Sequence, residues 1–394
     1  MRGRDKKHMT TQNPVIGLLQ RLVRVDSVNT DASGRPEAER EVAELLEKEA
    51  ASMGLSSRRL PVAGRGFNLL VEHEAGKGRP WVLLYAHMDT VSADGMSVDP
   101  FGGEVREGRL YGRGSLDDKG SIASALHALK EYSAQKELPN NAGLLLVVDE
   151  EVSHAGAGAF VRDHLPPLGY KPVGIVVCEP TDFTPFVAHN GLMHWTILVK
   201  GLAAHASVPE KGRSAISMMA KVVSALEREY ISGIKASDPL CGRARCSINR
   251  IEGGTSPNII PDTCRITLDR RVSPGEKTEE ILPAVEKVLE GLRKGNPGYG
   301  IVQETPRSHP ALDYDAKDPF IAGVLGALKG MGMSAEPRGA PFGTDAGIFA
   351  KAGLSCVVLG PGDVAKAHQA DEYIEVDAVL KGVDVLRGLL RVKV

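Results

Sequence analysis

Acidic residues and histidines recur in this sequence directly after apolar, β-rich segments, where an α/β protein collects its reactive groups. Imidazole nitrogens and carboxylate oxygens bind divalent metal ions, and a further carboxylate can move a proton. In chain order these residues are His87 and Asp89 in LLYAHMD, Asp117 in GRGSLDDKG, Glu150 and Glu151 in VVDEE, Glu179 in CEPT, and His368 in KAHQADEY. Five of them could hold two adjacent ions, one more could act as a base, and one could orient a ligand.

Each of these motifs taken alone also has a structural interpretation. In an extended chain the Asp89 carboxylate points to the same side as the His87 imidazole and could accept its second N–H, but a lone His-x-Asp after a strand is more often structural. Asp117 and Asp118 could instead cap the helix that follows them. His368 alone is typical of a surface histidine.

The three carboxylates of Asp149, Glu150 and Glu151 come at the end of the apolar segment AGLLLVVD. They would repel one another unless a cation is present, and a solvated loop is the alternative. Adjacent glutamates point in different directions, so one can bind a metal while the other moves a proton. Glu179 follows the apolar segment GIVVC, where a charged group is most simply explained by a metal or a charged partner.

The segments that must position these residues alternate between strand-like and helical patterns. The pattern predicts helices over 36–53, starting at Pro36, over 119–135 and over 156–164. Strands are predicted over 67–74, 80–87, 142–149 and 173–180. This alternation of strands and helices predicts an α/β fold with a mixed, largely parallel sheet flanked by helices.

The pattern of predicted elements changes near Asn190, where a segment with the order β-α-β-β-α-β begins. That order predicts an inserted ferredoxin-like α+β module. We therefore expect a discontinuous catalytic domain over 9–190 and 305–394 and an inserted lid domain over 191–304. Residues 1–8, MRGRDKKH, are interpreted as a vector-derived leader.

Composition excludes several classes of protein. The 394 residues carry a net charge of −2, which gives no support for a nucleic-acid or membrane-surface partner. The five cysteines are too scattered for a disulfide framework, and no Cys-x-x-Cys zinc pattern is present. No signal peptide and no apolar segment of about 18 residues is found. The expected location is the cytoplasm.

The motifs HMDTV, GRGSLDDKG, DEE, CEPT and AHQADEYI occur in one order with plausible gaps. In this order the chain resembles the di-zinc metallohydrolase family of acetylornithine deacetylase, succinyl-diaminopimelate desuccinylase, aminoacylase and glutamate carboxypeptidase. The resemblance runs from about residue 14 to the end. It implies a zinc-exopeptidase-like catalytic domain and a lid domain through which two copies form a homodimer.

By position, the resemblance implies that two divalent ions are bound in each subunit. One would be held by His87 and Glu179, the other by Glu151 and His368, and both by Asp117. Zinc is the expected metal, while cobalt or manganese would suit the same ligands. In relatives the peptide after the bridging aspartate is often cis.

The resemblance also implies catalytic and substrate-binding roles. Glu150 would be the general base and acid, Asp89 would orient His87, and His205 in GLAAHAS would reach the partner subunit's site and polarise the scissile carbonyl. The expected substrate contacts, from the motifs GGTSPNIIPD, LDRRVSPGE and FGTDAG, are Asn258, Arg271, Gly343 and Thr344.

The function that follows is metal-dependent hydrolysis of the amide bond of an N-acyl amino acid, as in amino-acid metabolism, by a metal-bridging hydroxide that Glu150 activates. A dipeptidase or carboxypeptidase of the same mechanism, acting on a short peptide, is the alternative. Deacylases of the family carry glutamate where many dipeptidases carry aspartate, so Glu179 favours the N-acyl substrate. A catalytically inactive metal-binding or amino-acid-binding protein is a third interpretation, which the complete set of ligands disfavours.

Overall fold

The structure is a computed structural model that describes residues 13–393. The interpreted leader, residues 1–8, and residues 9–12 of the expected catalytic domain lie outside the described residues.

The strands, in chain order, are β1 Ser56–Val62, β2 Gly66–His73, β3 Trp81–His87, β4 Glu104–Arg106, β5 Arg109–Tyr111, β6 Asn141–Val147, β7 Gly174–Val177, β8 Phe186–His189, β9 Gly191–Lys200, β10 Ala204–His205, β11 Ser237–Asp238, β12 Gly242–Arg243, β13 Arg245–Gly253, β14 Ile259–Ile260, β15 Thr263–Val272, β16 Gly300–Gln303, β17 Arg307–His309, β18 Arg338–Ala340, β19 Cys356–Val358 and β20 Tyr373–Glu375.

The α-helices are α1 Pro14–Arg24, α2 Thr30–Ser33, α3 Arg40–Ser52, α4 Lys119–Ser133, α5 Ala155–Ala159, α6 Ala215–Ala225, α7 Ile281–Gly295, α8 Pro319–Gly330, α9 Ala346–Lys351 and α10 Val376–Leu389. Short π-helical turns extend α5 over Phe160–His164 and α6 over Leu226–Tyr230.

The chain divides into two compact units. The first comprises the chain up to Val187, Asp315–Arg338 and the chain from Thr344, and the second comprises Ala188–Tyr314 and Gly339–Gly343. The expected lid over 191–304 begins later and ends earlier than the main segment of the second unit, Ala188–Tyr314. The second unit also includes the separate segment Gly339–Gly343. The motif FGTDAG overlaps that segment, but nothing in the sequence assigned the segment to the second unit.

The main sheet has eight strands in the order β1-β2-β6-β3-β7-β19-β8-β18. The ladders β6–β3, β3–β7 and β7–β19 at its centre are parallel, while β1–β2, β2–β6 and β19–β8 are antiparallel. Strand β6 is buried at every position, as its continuous apolar sequence predicts for a strand covered on both faces. The predicted mixed, largely parallel sheet with flanking helices is therefore confirmed.

The second unit is built around an antiparallel sheet in the order β13-β15-β9-β16, with β17 also paired to β9. Strands β9, β13, β15 and β16 and helices α6 and α7 follow the chain order β-α-β-β-α-β. One face of this sheet packs on both helices through a shared apolar cluster that includes Trp195, Ile266, Met218 and Val285.

One predicted helix begins later than expected. The helix predicted to start at Pro36 starts at Arg40, because residues 36–39 form a turn in which Glu37 has a φ of 51°. Glu39, the last residue of this turn, is fully buried. Across residues 13–393 no helix has both the length and the apolarity that a membrane span requires.

Candidate metal centre

The central strands bring the acidic and histidine motifs to one edge of the main sheet. His87 is the last residue of β3, and β3 lies between the parallel strands β6 and β7. Parallel strands end at the same edge, so the residues that follow β6 and β7 meet His87 there. Those residues are Glu150 and Glu151 after β6 and Glu179 after β7.

Two groups of ligand atoms form at this edge, and Asp117 belongs to both. In the first, His87, Asp117 and Glu179 offer atoms within 4.8 Å of one another, and His87 Nε2 lies 3.0 Å from Asp117 Oδ1. In the second, His368 Nε2 lies 3.1 Å from Asp117 Oδ2 and 3.2 Å from Glu151 Oε1. The two oxygens of one carboxylate thus face two separate groups, which is the arrangement that bridges two metal ions.

The peptide bond between Asp117 and Asp118 is cis. Asp118 occupies the N-cap position of α4, but its side chain makes no capping hydrogen bond. Its Oδ2 instead accepts the His87 backbone N–H at 3.3 Å, while Asp117 faces the two imidazoles. The capping interpretation of these aspartates is therefore wrong.

The electrostatics of the centre favour cation binding. Burial, together with the charge of Glu179, raises the pKa of Glu150 well above its usual value, and burial with the charge of Asp117 does the same to Glu179. Hydrogen bonds with Asp117 and Glu151 raise the pKa of His368 to about 10. The raised pKa values of Glu150 and Glu179 both reflect the mutual repulsion of carboxylates that are buried close together. Two imidazoles and three carboxylates are a suitable donor set for two divalent ions, which would relieve the same repulsion.

Asp89 connects the His87 ring to the turn that carries the two glutamates. His87 Nδ1 lies 3.0 Å from the Asp89 carbonyl oxygen and 3.4 Å from Asp89 Oδ1. The backbone N–H groups of Glu150 and Glu151 donate to Asp89 Oδ1 and Oδ2 at 3.0 and 3.1 Å. Glu150 itself belongs to neither group of ligands, and its Oε1 lies 3.8 Å from His154 Nδ1.

Several residues that hold this centre were not found from the sequence. Asn29 Nδ2 donates to Asp89 Oδ2 and to Asp149 Oδ1, each at 2.8 Å, although Asn29 lies in no motif. Glu372 Oε1 accepts the Asp117 backbone N–H at 3.2 Å, and its Oε2 accepts from Arg113 Nη1 at 2.5 Å. Glu372 lies within AHQADEY, so the same motif that pointed to His368 could have indicated it.

The predicted substrate residues His205, Asn258 and Arg271 belong to the second unit. His205 on β10 is exposed, and its strand pairs with β14 directly after Asn258. The Ala206 N–H donates to the Asn258 carbonyl at 2.9 Å, so His205 and Asn258 lie on neighbouring segments. Arg271 lies on β15. Two of its guanidinium nitrogens already make hydrogen bonds, because Nε and Nη2 donate to Asp269 at 2.9 and 3.1 Å.

The two residues predicted from FGTDAG fall on either side of a unit boundary. Gly343 ends the second unit, and a side-chain carbon there would come within 3.2 Å of the Asn190 carbonyl, so only glycine fits without a shift. Thr344 starts the last segment of the first unit and is buried. Its hydroxyl accepts the Ala346 N–H at 3.2 Å, at the start of α9.

Known proteins resemble this chain in sequence and in fold. The sequence profile of peptidase family M20/M25/M40 matches residues 83–392. An acetylornithine deacetylase of Myxococcus xanthus is 29% identical over 322 residues, covering 80% of this chain and 81% of that protein. An acetylornithine deacetylase of Proteus mirabilis is 29% identical over 368 residues, covering 91% and 92%. An M20 family metallo-carboxypeptidase of Sulfolobus solfataricus shares the fold, with a TM-score of 0.80 at 18% identity over 97% of this chain and 99% of that one.

Proposed function

This chain belongs to peptidase family M20/M25/M40 and is a metallohydrolase that acts on amide bonds; from that premise we propose that its substrate is an N-acyl amino acid. The main support for the proposal is the arrangement of acidic residues at the edge of the main sheet, where ligand residues and a separate carboxylate lie together. Asp117 is shared by two ligand groups, and Glu150 lies beside them without joining either. Two relatives that match most of the chain are acetylornithine deacetylases, and Glu179 is the residue type expected for deacylases.

In this proposal His87 and Glu179 would hold one ion, Glu151 and His368 would hold the other, and Asp117 would contribute to both. When bound, such ions, proposed to be zinc, would supply positive charge for polarising the amide carbonyl and for lowering the pKa of water. Asp89 keeps the His87 ring in place through the contacts at Nδ1.

Glu150 is proposed to be the group that moves the proton. Its carboxylate takes a proton from the attacking water and gives it to the nitrogen of the leaving amine.

The second unit, together with Thr344 of the first unit, is proposed to supply the substrate contacts. His205 would polarise the scissile carbonyl, Asn258 and Arg271 would bind the substrate carboxylate, and Gly343 and Thr344 would contact the substrate backbone. Arg271 keeps Nη1 available for this purpose, since its contacts with Asp269 use Nε and Nη2.

A homodimer through the second unit is also proposed. Support comes from large apolar side chains in this unit that are exposed by 41–59%. They are Leu202, Ile216, Ile251, Ile259 and Val302. A cytoplasmic location is proposed as well, and the five free thiols fit a reducing compartment.

Turnover by metal-stripped protein, before and after addition of zinc, cobalt or manganese, tests the substrate proposal. The panel contains N-acetyl amino acids and dipeptides. Metal-dependent release of amino acid from the N-acyl series is expected. Cleavage of dipeptides alone would assign the chain to the peptidases, and two bound ions without any turnover would indicate a binding protein.

The role of Glu150 is tested by Glu150→Gln. The variant should bind two ions per chain, as measured by metal analysis, while kcat falls by a factor on the order of 100 to 10,000. Glu104→Gln is the matched control, because Glu104 has a side chain that is 65% exposed. Retained turnover in Glu150→Gln would contradict the assignment.

A further inference from the structure

Three side chains beside Glu150 are linked to one another by short polar contacts. The Tyr85 O–H donates to Asp345 Oδ2 at 2.6 Å, and His154 Nδ1 lies 2.9 Å from Asp345 Oδ1. Because an ionised carboxylate only accepts hydrogen bonds, Nδ1 carries the hydrogen and donates it. The same Nδ1 lies 3.8 Å from Glu150 Oε1. All four residues belong to the first unit, so these contacts are continuous within one compact part of the chain.

Tyr85 and Asp345 form the rigid end of these contacts. Both side chains are fully buried, and Tyr85 lies on the central strand β3. Burial, together with the charge of Asp345, raises the pKa of Tyr85 well above its usual value, so the phenol keeps the proton that it donates. The Tyr85 ring also packs edge-on against Phe349, with ring centroids 5.4 Å apart. One oxygen of Asp345 is therefore held in place, while the other accepts from His154.

His154 is held in an uncommon backbone conformation. Its φ is 57°, in the left-handed region that residues other than glycine rarely adopt. Such a conformation persists where the surrounding structure holds it, and it occurs often at functional sites. Burial lowers the pKa of the imidazole, but the hydrogen bond with Asp345 outweighs burial and raises the pKa above its usual value. The contact with Asp345 thus favours a positively charged ring.

Glu150 needs an attractive contact because other carboxylates lie close to it. Burial raises its pKa, and the charges of Glu179 and Asp345 add to this effect. The same charges repel the Glu150 carboxylate, and a glutamate side chain has several rotamers into which it can move. His154 Nδ1 contacts one oxygen of Glu150 and one of Asp345, so it opposes the repulsion between these two carboxylates.

We propose that His154 is a positioning residue that holds the Glu150 carboxylate beside the two ligand groups, with its own ring fixed by Asp345 and Tyr85. This inference rests on the proposed function, in which Glu150 moves the proton. A general base must lie within hydrogen-bonding reach of the proton that it takes, and a misplacement of about 1 Å can lower the rate by about 100-fold. His154 acts through Glu150 and needs no contact with the substrate.

His154→Gly tests this role, because glycine accepts a positive φ without strain. The variant should still bind two zinc ions per chain, while kcat falls by about 10- to 100-fold and KM changes by less than about twofold. His154→Asn should recover most of the lost kcat, since asparagine tolerates this φ and its amide N–H can donate to Asp345. His164→Ala is the control, because it removes an imidazole that contacts the Pro61 carbonyl instead. Unchanged kcat in His154→Gly, or no recovery in His154→Asn, would overturn the inference.

A cycle of single and double substitutions separates positioning from a general loss of structure. If His154 acts through Glu150, His154→Gly should lower kcat by less than about twofold once Glu150 has been replaced by glutamine. Equal losses in the two backgrounds would contradict the inference. Asp345→Asn leaves one acceptor oxygen for two donors, and it should lower kcat by a factor similar to that of His154→Gly.

Nuclear magnetic resonance of metal-stripped, full-length protein with isotope-labelled histidine tests the contact without any turnover. The His154 ring signals, assigned by their loss in His154→Asn, should shift in Glu150→Gln, which removes the neighbouring charge. Glu104→Gln should leave them unchanged, because the Glu104 side chain is 65% exposed. If no N-acyl amino acid is hydrolysed, the proposed function fails, but these signals still decide whether His154 contacts Glu150. Signals that do not respond to Glu150→Gln would overturn the inference.

Discussion

Replacing Glu39 with glutamine should stabilise the first unit at alkaline pH. Glu39 is fully buried, its Oε1 accepts the Asp149 backbone N–H at 3.2 Å, and its Oε2 has no hydrogen-bond partner among the described residues. Burial, followed by the charge of Asp89, raises the pKa of Glu39 from 4.5 to about 7. Glutamine keeps the acceptor for the Asp149 N–H and removes the buried charge.

The size of the effect follows from the shift in pKa. At about 1.4 kcal/mol per pKa unit, the ionised carboxylate costs about 3 kcal/mol of folding stability. Below pH 4.5 the group is protonated in both the folded and the unfolded chain, so this cost is absent. Because the folded pKa is the higher one, the cost grows as pH rises and is complete above about pH 7.

Between pH 5 and pH 8 the free energy of unfolding of Glu39→Gln should therefore gain about 2.5 kcal/mol relative to the unsubstituted chain. Urea denaturation with a chelator present measures this difference without a contribution from metal binding. The chain has two tryptophans, Trp81 on β3 and Trp195 on β9. A Trp195→Phe background leaves Trp81 as the fluorescence reporter for the first unit.

Glu44→Gln, in the helix α3 that follows Glu39, is the matched control, since the Glu44 side chain is 39% exposed. Its difference from the parent chain should stay constant over this pH range. A constant difference for Glu39→Gln as well would refute the argument that Glu39 is forced to ionise in a buried position.

Other predictions concern the residues that support the centre. Asn29→Ala removes a hydrogen bond to Asp89 and should weaken metal binding by about 10- to 100-fold, as measured by titration of metal-stripped protein; unchanged affinity would exclude a supporting role. Arg113→Met leaves the buried carboxylate of Glu372 without its ion pair and should lower the free energy of unfolding by about 3–5 kcal/mol in denaturant titrations; Arg113→Lys should lose less. Gly174→Ala on β7 would place a methyl group inside the contact distance of a buried phenylalanine ring and should cost about 1–3 kcal/mol; an unchanged denaturation midpoint would show that the core relaxes freely.

Local sequence patterns were sufficient for the main features of the fold. Continuous apolar segments predicted the buried strands β3, β6 and β7, and the alternation of strands and helices predicted the mixed sheet. The short strands β4 and β5 carried no such pattern, because a three-residue strand is too short to show periodicity.

The same local reasoning predicted which residues lie together at the candidate metal centre. His87 and Glu179 each follow a central strand, and parallel strands necessarily end at one edge, so position along the chain implied proximity in space. The sequence alone did not say how Asp117 faces its neighbours. The structure places its two oxygens toward two different imidazoles.

What the sequence by itself determined is therefore the sheet and the identity of the groups at its edge, since apolar periodicity and strand ends are local properties of the chain. Only the tertiary structure decided which distant residues hold those groups in place. Asn29 reaches Asp89 across 60 positions and Arg113 reaches Glu372 across 259. Such hydrogen bonds are set by how elements pack after folding, and buried polar groups must find partners wherever packing provides them.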